Sequence, residues 1–91
     1  MAKENTDYAN ASVIATAAYM SKENGDSEEV YRSAGQLKTK KYLNIVPKPQ
    51  SINKGEFTIL EDSQDDGEII VKVGEKIFYP KTDKDKSSLN N

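Results

Sequence analysis

Apolar residues near the start of the chain recur at the spacing of an α-helix. The segment 9–21 is rich in alanine, and its larger apolar residues are separated by three and four positions. They are Val13, Ala17 and Met20, flanked by Ile14, Ala18 and Ser21. This spacing gathers them on one side of a helix. We predict an amphipathic helix over 9–21, with Asn10 or Asp7 capping its start.

A second helix is predicted after Asn24-Gly25, which reads as a helix stop. Asp26 or Ser27 suits the cap position, because a short polar side chain accepts hydrogen bonds from the free N–H groups of a first turn. Glutamates follow at the start and lysines near 38–41, an order that complements the helix dipole. We expect this helix to extend to about Lys41, with Gly35 costing it about 1 kcal/mol relative to alanine.

The second half of the chain has the pattern of short β-strands. Segments 56–61, 68–73 and 76–79 are rich in β-branched and aromatic residues, and polar or glycine-containing turns separate them. Residues 42–46 either end the second helix or form a further strand. The predicted fold class is α+β, with two N-terminal helices packed on one face of a three- or four-stranded antiparallel sheet. Flexible ends, 1–8 and 81–91, flank this single domain of 9–80.

The strongest pair of strands predicts a sheet with two apolar faces. Gly74-Glu75 fits a two-residue hairpin turn, which would place Val71 opposite Phe78 and Ile70 opposite Tyr79. One face then carries Ile69, Val71, Val73 and Phe78. The second carries Ile70, Ile77 and Tyr79, interrupted by Lys72. Because a small sheet buries only one face as a rule, the second face is a candidate binding surface.

Charge changes sign abruptly near residue 55, although the 91-residue chain has a net charge of only −2. Segment 30–55 has six basic residues and no acidic one, and segment 56–68 has six acidic residues and no basic one. Lys38, Lys40 and Lys41 with Tyr42 could meet nucleic-acid phosphates and bases. The sequence pI of about 5.1 argues against a dedicated nucleic-acid binder. We expect the basic stretch at 38–41 to lie near the acidic loop at 62–68.

The composition removes most catalytic chemistry. The chain has no cysteine and no histidine, so it lacks thiol nucleophiles and the commonest general base and metal ligand. The acidic loop resembles a calcium loop only in its glycine at the sixth position, since Val73 stands where a bidentate glutamate is needed. We predict a protein that is not an enzyme and that has no cofactor and no metal site.

The same composition bears on location. The N-terminal residues have no adjacent apolar region of the signal-peptide kind, and segment 9–20 is too short and too polar to span a bilayer. We expect no membrane partner, and a location in the cytoplasm, a host cytoplasm or a virion. A short, acidic, cysteine-free chain with polar ends is typical of phage or plasmid accessory proteins.

These patterns favour a small protein-binding module, such as an inhibitor or adaptor. Its expected binding residues are the apolar Ile70, Ile77 and Tyr79, beside the acidic Asp62, Asp65 and Asp66. An apolar patch with a rim of one charge is typical of protein interfaces. Two alternatives stay open: a structural subunit of an assembly such as a virion, with homo-oligomer contacts, and nucleic-acid binding through segment 30–55.

Overall fold

The computed structural model describes residues 2–50, 55–62 and 67–80. Three helices come first in the chain, and three strands follow them. They are α1 (Ala2–Glu23), α2 (Glu28–Tyr31), α3 (Ala34–Thr39), β1 (Thr58–Asp62), β2 (Glu68–Val73) and β3 (Lys76–Tyr79). The predicted α+β class is confirmed, with helices packed on a small antiparallel sheet. The predicted tail 81–91 lies outside the described residues.

The sheet has the strand order β1-β2-β3, and both pairs are antiparallel. In the β1–β2 pair Ile59 faces Val71 and Leu60 faces Ile70. The predicted two-residue hairpin between β2 and β3 is confirmed, since Val73 faces Lys76. Gly74 has a φ of 60° there, which glycine adopts without the steric cost of a Cβ atom.

A β-bulge changes the predicted register of that hairpin. Lys72 faces Ile77, but Val71 faces Tyr79, so Phe78 is an extra residue in β3. The predicted pairing of Ile70 with Tyr79 is therefore wrong. The bulge turns Tyr79 to the side of Val71, where it packs against the buried core together with Phe78.

Helix α1 packs across β2 and β3 through small side chains. Its buried residues include a stripe in steps of three and four, as expected for one helix face, formed by Asp7, Ala11, Ile14, Ala18 and Ser21, with Ala15 and Ala17 beside it. Of the predicted face, Ile14, Ala17, Ala18 and Ser21 are buried, whereas Val13 and Met20 are about half exposed. The predicted start is also wrong, since the helix begins at Ala2 and Asp7 lies inside it.

The predicted second helix is broken into α2 and α3. Ser33 has extended backbone angles, and its hydroxyl accepts a hydrogen bond from the Gln36 N–H at 3.2 Å. Ser33 is therefore the N-cap of a new helix, α3, and lies two residues after the end of α2. Lys41 has a φ of 71° and lies after the end of α3. Residues 42–46 form no strand, so the sheet has three strands within the described residues.

The core lies between α1 and the sheet face that carries Ile69, Val71 and Val73. Phe78 is buried at its centre, with ring centroids 5.1 Å from Tyr8 and 6.1 Å from Phe57 in edge-to-face arrangements. The predicted apolar face of the hairpin is confirmed as the buried one. Helix α1 covers this side, and among the described residues no helix packs on the opposite side of the sheet.

Candidate functional site

The side of the sheet opposite the helices, called here the open face, carries an apolar centre. The alternation of side chains along the strands places seven residues on it: Thr58, Leu60, Asp62, Glu68, Ile70, Lys72 and Ile77. Leu60 lies directly beside Ile70, and Ile77 lies beside Lys72 on the next strand. All three apolar side chains are half-buried, outside the core cluster. They form a small apolar surface on a three-stranded platform.

The predicted binding residues are divided by this geometry. Ile70 and Ile77 lie on the open face, and Asp62 lies at its edge, opposite Glu68. Tyr79 does not join them, because the bulge places it on the helix-covered side. Burial there raises the pKa of the Tyr79 hydroxyl. Asp65 and Asp66 lie outside the described residues.

Leu60 was not predicted as a binding residue, although the sequence carries part of the signal. The alternation of Thr58, Leu60 and Asp62 places these three residues on one face of a strand. The face becomes identifiable only from the pairing of Leu60 with Ile70.

An ion cluster fixes the position of β1 under the helices. The Glu61 carboxylate lies 2.5 Å from the Lys22 ammonium at the end of α1 and accepts a hydrogen bond from the Tyr31 hydroxyl at 2.9 Å. Lys22 also donates to the Gly67 carbonyl at 3.0 Å. The hydrogen bond from Lys22 lowers the pKa of Glu61, and the same contact raises the pKa of Lys22. This cluster joins both ends of the β1–β2 connection to the helices.

The outer edge of β1 carries backbone groups that β2 does not use. Tyr19 accepts a hydrogen bond from the Ile69 N–H at 2.9 Å, so Glu61 and Ile69 face each other without exchanging ladder bonds. The N–H and C=O groups of Glu61 and Ile59 therefore point away from β2. In agreement, the Ile59 carbonyl accepts a long hydrogen bond of 3.4 Å from Arg32 Nε.

Two grooves follow this edge. The first is a cavity of ≈ 410 Å³ between the α2–α3 junction, residues 46–48 and the start of β1. Its apolar walls are Ala34, Val46, Pro47, Phe57 and Ile59. The second, of ≈ 380 Å³, is bordered by Glu28 and Glu29. Arg32, Thr58 and Ile59 line both grooves.

The residues of the nucleic-acid alternative lie on another part of the surface. Lys38, Lys40 and Lys41 are exposed, and Tyr42 is half-buried. The Tyr42 hydroxyl accepts a hydrogen bond from Asn24 at 2.8 Å. A tyrosine whose hydroxyl is held in this way is less free to turn its ring toward a base.

Asp26 connects this basic stretch to the end of α1. It accepts a hydrogen bond from the buried Ser21 hydroxyl at 2.8 Å, and the Lys40 ammonium lies 3.9 Å away. Hydrogen bonds from Ser21 and then Tyr42 lower the pKa of Asp26. Lys40 of the basic stretch thus lies near Asp26, and Glu61, next to the acidic loop, pairs instead with Lys22 of α1. The predicted proximity of Lys41 to the acidic loop stays a prediction.

A further apolar groove follows the outer side of α1. Val13, Met20 and Ile45 are 53%, 51% and 66% exposed. Cavities of ≈ 250 and ≈ 440 Å³ lie along these residues, and Tyr42 lines both of them. This groove gives the molecule a second apolar surface, remote from the open face because α1 lies between the two.

Comparisons with known proteins give no match to any family model, any curated protein or any solved structure. No helix among the described residues has the length and apolar character needed to cross a bilayer. Within residues 2–50, 55–62 and 67–80, no three acidic side chains lie together in a way that could hold a metal ion.

Proposed function

We propose that this protein is a non-catalytic protein-binding module that contacts its partner through the open face of the sheet. The observation that carries the proposal is the apolar centre of that face, formed by Leu60, Ile70 and Ile77. The helices pack on the other side of the sheet. A partner that covers this centre would remove its apolar area from water, which is the main favourable contribution to protein association.

The charged rim indicates the character of the partner surface. Asp62 and Glu68 lie opposite each other at one end of the open face, and Lys72 lies on the same face toward the other end. The acidic pair would attract a basic surface and fix its orientation, since charge complementarity acts mainly on association rate and specificity. The binding residues are thus Leu60, Ile70 and Ile77 at the centre, with Asp62 at the rim.

The described ionisable groups with shifted pKa values support binding over catalysis. Glu61, Lys22 and Asp26 are each engaged in contacts that join secondary-structure elements. A catalytic group is placed instead where a substrate can reach its reacting atom. The shifted pKa values therefore reflect the architecture of the fold.

Capture of partners by variants tests this proposal. The tagged chain is used to capture proteins from a lysate of the cells from which its gene comes, alongside Ile77→Asp and Val13→Asp. Val13→Asp is the matched control, because it places the same charge on an exposed apolar site of α1. We expect a protein captured by the wild type and Val13→Asp but not by Ile77→Asp. Capture that only Val13→Asp abolishes would move the binding site to α1 and contradict the proposal.

A further inference from the structure

We propose that the outer edge of β1 binds an extended peptide segment of a partner protein, which adds to the sheet as a fourth strand. The edge and the open face belong to one continuous sheet, so this inference rests on the proposed function and specifies the kind of partner. The segment would carry an apolar residue and a basic residue on the same side of the added strand. The backbone of β1 and the two grooves beside it provide the reasons.

The outward-pointing backbone groups of β1 select an extended chain. Ile59 and Glu61 direct their N–H and C=O groups away from β2, at the spacing of alternate residues in a strand. A peptide in extended conformation has donors and acceptors at the same spacing and can pair with both residues. Neither a helix nor a flat apolar surface offers this match. The outer edge of β1, which pairs with no other strand of the described residues, thus determines the conformation of the occupant.

The occupant's side chains follow from the alternation of the sheet. A peptide residue placed beside Ile59 directs its side chain to the helix-covered side. The ≈ 410 Å³ cavity lies there, with Ala34, Pro47 and Phe57 among its apolar walls. An apolar side chain suits this cavity. The peptide residue between those beside Ile59 and Glu61 would lie beside Leu60 and extend the open face.

The second groove supplies charge complementarity. Glu28 and Glu29 border it, and Arg32 lines both this groove and the first cavity. Every second side chain of an added strand points to the same side of the sheet. Because Thr58 and Ile59 line both grooves, a lysine or arginine on that side of the peptide, close to the residue beside Ile59, would meet the two glutamates. The preferred peptide therefore carries an apolar and a basic residue on the same side of the strand, an even number of positions apart.

Arg32 protects the edge in the free protein and is readily displaced. Its Nε lies 3.4 Å from the Ile59 carbonyl, long for a hydrogen bond, and its second contact is an exposed pair with Glu28 at 3.7 Å. A peptide N–H can replace this donor at the same carbonyl. Covering an edge with a charged side chain is also a common protection against unwanted pairing of strands.

Selection from a displayed library of random linear peptides of about ten residues, long enough to pair with a strand of usual length, tests the proposal. Enriched peptides are synthesised and titrated into the purified full chain and two variants, Glu61→Pro and Glu61→Ala. Both variants lose the contacts with Lys22 and Tyr31, but only proline removes the outward N–H of residue 61. We expect Glu61→Pro to weaken binding about tenfold or more relative to Glu61→Ala.

Nuclear magnetic resonance of the labelled wild type keeps the test decisive if Glu61→Pro fails to fold. Bound peptide should give cross-strand contacts to Ile59 and Glu61 and slow the hydrogen exchange of the Glu61 amide. No enrichment, enriched peptides without an apolar and a basic residue on the same side of the strand, or contacts elsewhere would overturn strand addition. Loss of partner binding in Ile77→Asp but not in Glu61→Pro would overturn strand addition and leave the proposed function intact.

Discussion

Replacement of Gly67 by alanine should cost more stability than the same replacement at Gly74. Both glycines have positive φ, 74° and 60°, where an L-residue is strained. A Cβ atom at position 74 meets nothing within 4 Å, but at position 67 it would lie 2.8 Å from both Glu61 Oε2 and Lys22 Nζ. The comparison therefore separates backbone strain, which both variants share, from disturbance of the ion cluster that holds β1.

The expected magnitudes follow from these distances. The left-handed backbone alone costs a residue with a Cβ atom about 1–2 kcal/mol, and we expect this loss for Gly74→Ala. The Cβ at position 67 must also displace the ends of two side chains that contact each other. The displacement breaks at least one hydrogen bond of the cluster, worth a net ~1 kcal/mol. Gly67→Ala should thus be less stable than Gly74→Ala by about that amount.

Urea denaturation followed by circular dichroism measures both losses, with a two-state fit. A double-mutant cycle provides the control. In a Lys22→Met background the contact between Lys22 and Glu61 is absent, so the Glu61 carboxylate can move away from the new Cβ atom without breaking it. The excess cost of Gly67→Ala over Gly74→Ala should therefore fall. Equal losses in the wild-type background, or an excess that is undiminished in Lys22→Met, would refute the assigned role of the cluster.

Three further variants or conditions test other parts of the fold. Gly35→Ala should stabilise the protein by about 0.5–1 kcal/mol in the same assay, since the new Cβ meets only Ser33 Oγ at 3.8 Å. Asp7→Ala should cost about 1–2 kcal/mol, because the buried carboxylate accepts the Gln50 N–H at 2.6 Å, and Asp7→Asn should cost less. Stability should fall as the pH drops below the ordinary pKa values of 4.5 and 3.8 of Glu61 and Asp26. Both pKa values are lowered in the folded state, so the stabilisation is present above those values and lost below them. Glu61→Gln should flatten the acid decline.

Local signals in the sequence were sufficient for the elements that depend on neighbouring residues. The hairpin at Gly74-Glu75 and its buried face were predicted correctly, because turn chemistry and alternation are local. The break between α2 and α3 was also visible, since Ser33 followed by Gln36 is a capping-box pattern. Segment 26–41 was predicted as one helix because Gly35 was considered only as a weak point within it.

Features that depend on tertiary contacts were not predictable in the same way. The bulge at Phe78 leaves no mark in the order of residues, yet it moves Tyr79 from the open face to the core side. Four of the six residues predicted for the buried face of α1 are buried, and only packing on the sheet distinguishes them from the exposed Val13 and Met20. The role of Arg32 at the edge requires the distance between α2 and β1, which no local pattern specifies.

The most direct test of the proposed function is a map of methyl chemical shifts in the complex with a captured partner. Isoleucine, leucine and valine methyl groups report on both apolar surfaces of the molecule in one spectrum. We predict that the largest changes occur at Leu60, Ile70 and Ile77 on the open face, with Val13 and Ile45 unchanged. Changes confined to Val13 and Ile45 would contradict binding through the sheet.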